Sequence, residues 1–160
     1  LSLLGDEPEI LEALDRLFTA TEQWDRLHDV LSRRLESRDA DRPTLLVRQG
    51  RLRASYLGDY EGALGAYQKA IDQDPGRDEA LRAVRGLTSK PEVAGSALDL
   101  LEEYYRDAGD LEHVVELYGQ RVELAPTDAD RLTDVYDGLL ERCAAVDVED
   151  DITMLSCYVR

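Results

Sequence analysis

Asparagine is missing from this chain, and 160 residues hold only two cysteines, two histidines, one tryptophan and one phenylalanine. Cys143 and Cys157 are too few to frame a disulfide scaffold, and their spacing fits no zinc-binding pattern. Cys143 lies in an apolar helical run and reads as a buried thiol, so a reducing, cytoplasmic compartment is expected. No apolar run approaches the ~18 residues of a membrane span, and no charged-then-apolar leader opens the chain. The first residue is Leu1 and the apolar periodicity is already running there, so a piece of a longer protein is expected, with any targeting segment outside it. Period-two alternation is absent over any useful length, which excludes a sheet. Positive charge is also scarce. Residues 1–80 carry 11 basic and 17 acidic side chains and residues 81–160 carry 8 and 18, within a formal net charge of -16. An acidic excess in both halves argues against nucleic acid and against an anionic membrane surface.

What remains is helix-forming material rich in Leu, Ala and Val. All five prolines (Pro8, Pro43, Pro75, Pro91, Pro126) fall between apolar-periodic runs, as punctuation between helices. The informative signal is repetition. "LGDYEGALGAYQKAIDQDP" at residues 57–75 returns as "AGDLEHVVELYGQRVELAP" at 108–126, pairing Gly58 with Gly109, Asp59 with Asp110, Ala63 with Val114, Tyr67 with Tyr118 and Pro75 with Pro126, always 51 apart. A weaker copy, "TEQWDRLHDVLSRRLE", sets Trp24, Leu27 and Leu31 in the slots of Tyr60, Ala63 and Tyr67. Within one unit Gly58 takes positive φ and ends a helix, while Asp59 caps the next. Ala63, Tyr67, Ala70 and Ile71 then form one apolar helix face, and the small Ala63 lets the paired helix approach. Repeats of this length stack, each burying its apolar face against its neighbours.

These residues resemble the second half of a tetratricopeptide repeat, a helix-turn-helix unit of ~34 residues. Leu11, Leu14 and Phe18, and again Leu98, Leu101 and Tyr105, fall on that family's large apolar slots in the first helix. The resemblance implies an all-α fold, a right-handed superhelical array of antiparallel helix pairs with about eight helices. Repeats are expected at about 8–41, 42–76 and 91–127, with an extra helix at 78–87 and a partial repeat at 128–145. Residues 1–145 then form the repeat domain and 146–160 a poorly ordered or truncated tail. An offset of 87 also pairs Leu11 with Leu98, Phe18 with Tyr105 and Arg34 with Arg121, so the array has a longer period as well. Two departures stand out. Glu22 replaces the turn glycine of the first copy. The middle first helix, residues 43–57, offers its packing slots either Gly50, Arg51 and Ala54 or, shifted by one, Gln49, Gly50 and Arg53.

Nothing here assembles a catalytic site. His28 and His113 sit on second helices without a nucleophile pattern beside them and read as surface or groove-edge residues. The pairs Glu102–Glu103 and Asp150–Asp151 are helical neighbours pointing about 100° apart, so neither pair shares a site. "GDYEGALG" has glycines but neither the Lys nor the strand of a phosphate loop. Trp24, Tyr67 and Tyr118 read as core. No enzyme activity, cofactor or metal is expected. The resemblance implies that first helices line a concave groove for a partner peptide or helix. By position that face carries Glu9, Glu12, Arg16 and Thr19, then Arg48, then Ser96, Asp99, Glu103 and Arg106. The family's carboxylate clamp uses Lys and Asn there, and neither occurs at these positions, so the expected partner is a basic or mixed-charge protein segment. The alternatives are a structural spacer or self-association module, and the recognition arm of an enzyme whose catalytic domain lies elsewhere.

Overall fold

The computed structural model describes residues 7–37, 40–76 and 78–124, and every regular element in them is helical. In chain order they are α1 (Pro8–Ala20), α2 (Trp24–Glu36), α3 (Arg42–Leu52), a π-helical turn (Arg53–Leu57), α4 (Tyr60–Gln73), α5 (Asp78–Leu87), α6 (Ala94–Asp107) and α7 (Leu111–Leu124). The chain is an all-α helical-repeat protein with seven α-helices among its described residues. The helix expected near 131–145, the tail at 146–160, both cysteines and the Asp150–Asp151 pair lie outside them. Two compact units divide the chain, residues 1–101 and 102–160, with the boundary inside α6.

In the first unit each helix packs on the next: α1 on α2, α2 on α3, α3 most extensively on α4, and α4 on α5. Leu27 and Leu31 of α2 meet Leu45 and Leu52 of α3 in a buried cluster, with Phe18 and Trp24 packed against it. Ala63, Ala70, Ala80 and Val84 are fully enclosed, the close contacts that small residues on α4 and α5 allow. Asp59 caps α4 by accepting from the Gly62 N–H at 2.9 Å, and Asp41 caps α3 through the Thr44 N–H.

Three turns close the helix pairs with one hydrogen bond in common. Gln23 N donates to Phe18 O at 2.9 Å, Asp59 N to Arg53 O at 3.1 Å, and Asp110 N to Tyr105 O at 2.8 Å. The residue before each donor is left-handed: Glu22 at φ 53°, Gly58 at 67° and Gly109 at 70°. Those acceptors make Phe18, Arg53 and Tyr105 equivalent, although the donor lies six residues on in the middle turn and five in the others. The π-helical turn at Arg53–Leu57 absorbs that extra residue. The register of α3 is therefore the shifted one, with Gln49, Gly50 and Arg53 in the packing slots.

Glu22 occupies a conformation that glycine adopts without steric penalty. Glu22→Gly is expected to stabilise the protein by about 1 kcal/mol, raising Tm by roughly 2–4 °C. Thermal unfolding followed by circular dichroism measures this, and an unchanged or lower Tm contradicts the strain at Glu22.

Candidate functional site

The slot that Gly50 fills in α3 holds an acid in the other two copies. Asp15 and Glu102 are 87 residues apart, as are Arg34 and Arg121, and each acid pairs with its arginine. Asp15 is almost fully buried, taking Arg34 of α2 on one oxygen and both Nη atoms of Arg48 of α3 at 2.5 Å. Arg48 also donates to Thr19 Oγ1 at 3.2 Å. In the second unit Glu102 accepts from Arg121 at 3.0 Å and from the Tyr118 hydroxyl at 2.6 Å, and pairs with Arg106 at 2.6 Å. Burial and the bond to Glu102 raise the Tyr118 hydroxyl above the usual tyrosine range. Sequence reasoning paired the two arginines but missed their acids, although the same 87-residue offset contained them.

The middle copy dispenses with this pair. Gly50 and Ala70 stand in place of acid and arginine, and the Tyr67 ring, 2% exposed, packs closely against Gly50. Beside it Gln49 donates to Ser32 Oγ at 2.9 Å, and Arg53 Nε donates to His28 Nε2 at 3.1 Å. His28 thus serves as a polar joint between α2 and the π-helical turn. His113 stacks on Tyr105 at 4.7 Å and meets Asp110 at 2.6 Å, also within its own repeat. Trp24 is only partly buried: one face stacks on Tyr56 at 3.8 Å, because the extra residue of the π-helical turn carries Tyr56 over it. Tyr118 is likewise only partly buried, its hydroxyl drawn to Glu102, and Leu111, in the slot of Trp24 and Tyr60, is exposed.

The expected partner face is distributed as follows. Glu9, Glu12 and Arg16 are exposed on α1, with Glu12 3.8 Å from Arg16 and 3.9 Å from Arg34. Arg48 is half-exposed and committed to Asp15, so it joins α1 to α3. Asp99 is exposed on the part of α6 that belongs to the first unit. Glu103 and Arg106 are exposed in the second unit, Arg106 holding Glu102 and the Tyr118 hydroxyl.

A cleft of about 940 Å³ opens between α3 and α5, floored by α4, and sequence reasoning did not anticipate it. Arg51, Ser55, Tyr60, Tyr67, Arg82 and Lys90 are among the residues lining it. Arg51 of α3 pairs with Glu79 of α5 across it at 2.6 Å, and the Lys90 ammonium sits 5.2 Å from the Tyr60 ring centroid. Glu79, Arg82, Ala83 and Gly86 share one face of α5, opposite the buried Ala80, Leu81, Val84 and Leu87.

Helix pairs closed by a left-handed turn, with small residues at their crossings, define a helix-turn-helix repeat protein. The family model of the tetratricopeptide repeat matches residues 45–79 and 97–132. Those segments take in most of α3 with α4 and most of α6 with α7, and they support a tetratricopeptide repeat family. No curated protein matches the chain. Repeats of this family are in general protein–protein interaction modules. Among the described residues no helix is long and apolar enough to cross a membrane.

Proposed function

We propose that this chain is a non-catalytic scaffold that binds a peptide or helix of a partner protein on its first-helix face. The α3–α5 cleft is the observation that carries the reading. Helices packed only to bury their apolar stripes need no opening of that size, and its volume suits a few residues of an extended segment. The expected contact residues lie on first helices: Glu9, Glu12 and Arg16 on α1, Arg48 on α3, and Asp99, Glu103 and Arg106 on α6. Both charge signs occur among them, which supports a basic or mixed-charge partner.

Photo-crosslinking side chains placed one at a time at Arg16, Ser55, Asp99 and Glu103 test this against placements at Asp29, Glu112 and Glu116 on second helices. Partner adducts are expected from the first set. Adducts confined to the second set overturn the first-helix face as the binding surface.

A further inference from the structure

We propose that the stacked Trp24–Tyr56 pair is a second docking surface, apart from the first-helix face, and that it takes an arginine of a basic partner segment on the open face of Tyr56. It lies where the turns of the first two helix pairs meet. Beyond the equivalent residues Phe18 and Tyr105 the first and third turns run Thr19–Glu22 and Arg106–Gly109, without an aromatic. Only the longer middle turn, after Arg53, carries one, and the π-helical geometry that admits it is unfavourable and recurs at functional places.

Tyr56 buries little of itself. Its ring lies 3.8 Å from that of Trp24 and 16° from parallel, yet the residue is 57% exposed, so the face away from Trp24 is open to solvent. Trp24 packs against the buried cluster of Leu27, Leu31, Leu45 and Leu52, which fixes the plane on which Tyr56 rests. Cations of the chain itself already cover neighbouring rings: Arg26 stands 5.8 Å from the Phe18 centroid and Lys90 5.2 Å from that of Tyr60. Among the described residues no cation covers Tyr56.

Charge selects the occupant. Residues 20–26 and 55–61, the two turns that hold the pair, carry four carboxylates, Glu22, Asp25, Asp59 and Glu61, against one cation, Arg26. Asp59 is committed to Arg53 at 3.3 Å and to capping α4, and Arg26 to Phe18. Glu22, Asp25 and Glu61 are exposed, with no cation of the described residues at ion-pair distance. A guanidinium suits both features, because its plane stacks on an aromatic face while its edge donates to carboxylates. A nucleobase would stack as well, but its phosphates would meet those same carboxylates.

Trp24 is the one tryptophan of the chain, so its fluorescence reports on this site alone. The intact protein is titrated with dodecapeptides of Gly and Ser interleaved with Arg, citrulline or Glu, and with a twelve-nucleotide oligouridine. Calorimetry gives the affinity and Trp24 emission the place. The Arg peptide is expected to bind tightest and to change that emission. Tyr56→Leu should weaken it roughly three- to fivefold, whereas Tyr56→Phe, which keeps the ring, should stay within about twofold of the parent. Neither substitution alters the net charge, so the general attraction of a basic peptide to a chain of formal net charge -16 is the same in all three proteins. Glu22→Gln combined with Asp25→Asn should weaken the Arg peptide about threefold. The assignment is overturned if Tyr56→Leu binds the Arg peptide as tightly as the parent, or if the citrulline or Glu peptide matches it. Binding of the oligouridine in its place, or an Arg peptide that leaves Trp24 emission unchanged, also overturns it. None of these results bears on the first-helix face, which crosslinks at Arg16, Asp99 and Glu103 test separately.

Discussion

Asp15→Ala is expected to lower stability by about 2–3 kcal/mol, a fall in Tm of roughly 5–10 °C. Removing one partner of a buried ion pair generally costs about 3–5 kcal/mol because the other charge stays desolvated. Here the arginine side chains are 24% and 41% exposed and regain some water, which places the effect at the lower end. The loss also unties three helices, since Asp15 is where α1 holds both α2 and α3. Glu12→Ala is the control. Glu12 lies within 4 Å of two arginines, but its side chain is 54% exposed, so its removal should change stability by no more than about 0.5 kcal/mol. Replacing Asp15 by Leu together with both arginines by Met should recover most of the loss, because apolar packing then substitutes for the ion pairs. Urea unfolding of the four proteins decides the matter. Equal midpoints for Asp15→Ala and Glu12→Ala refute this account of the network.

Gly50→Ala should destabilise by about 2 kcal/mol, although alanine is the better helix former by about 1 kcal/mol. A Cβ at Gly50 would stand 2.8 Å from Cδ1 and Cζ of Tyr67 and closer still to Cε1. Three ring atoms would have to shift at once, and Tyr67 is 2% exposed with Ala70 beside it fully enclosed. Overpacking of this kind costs up to about 3 kcal/mol, so steric strain exceeds the gain in propensity. Gly65 is also on a helix, α4, but a Cβ there meets nothing within 4 Å. Gly65→Ala should therefore stabilise by about 0.5–1 kcal/mol. Opposite signs in denaturant unfolding are the expected result. In a Tyr67→Leu background the Gly50→Ala penalty should shrink toward zero, and a penalty that persists there assigns the effect to something other than the ring.

Much of the fold was legible without coordinates because its signals are local. Gly58 and Gly109 take positive φ, and Asp59 and Asp110 reach the N–H three residues on, whatever else the chain does. Ala63 and Tyr67 at helical spacing identify a face that must be covered. The register of α3 was not legible, because two patterns one residue apart were equally consistent with the letters. Only the shared closing hydrogen bond to Phe18, Arg53 and Tyr105, with a π-helical turn taking up the surplus, selects between them. Trp24 and Tyr118 illustrate the same limit. Both occupy aromatic slots, yet Tyr56 stacks on one and the other donates its hydroxyl to Glu102.

The sequence by itself therefore determined the helices, their pairing and the two repeat offsets, since capping, left-handed turns and amphipathic spacing act over a few residues. It also paired Arg34 with Arg121 at the 87-residue offset, though not the acids they hold. Tertiary structure decided which charges are paired and which are presented. Arg51, Arg82 and Lys90 lie on different parts of the chain, and only the packing of α5 beside α3 over α4 gathers them at one cleft above Tyr67. Electrostatic consequence depends on distance and burial, and neither is a property of position along the chain.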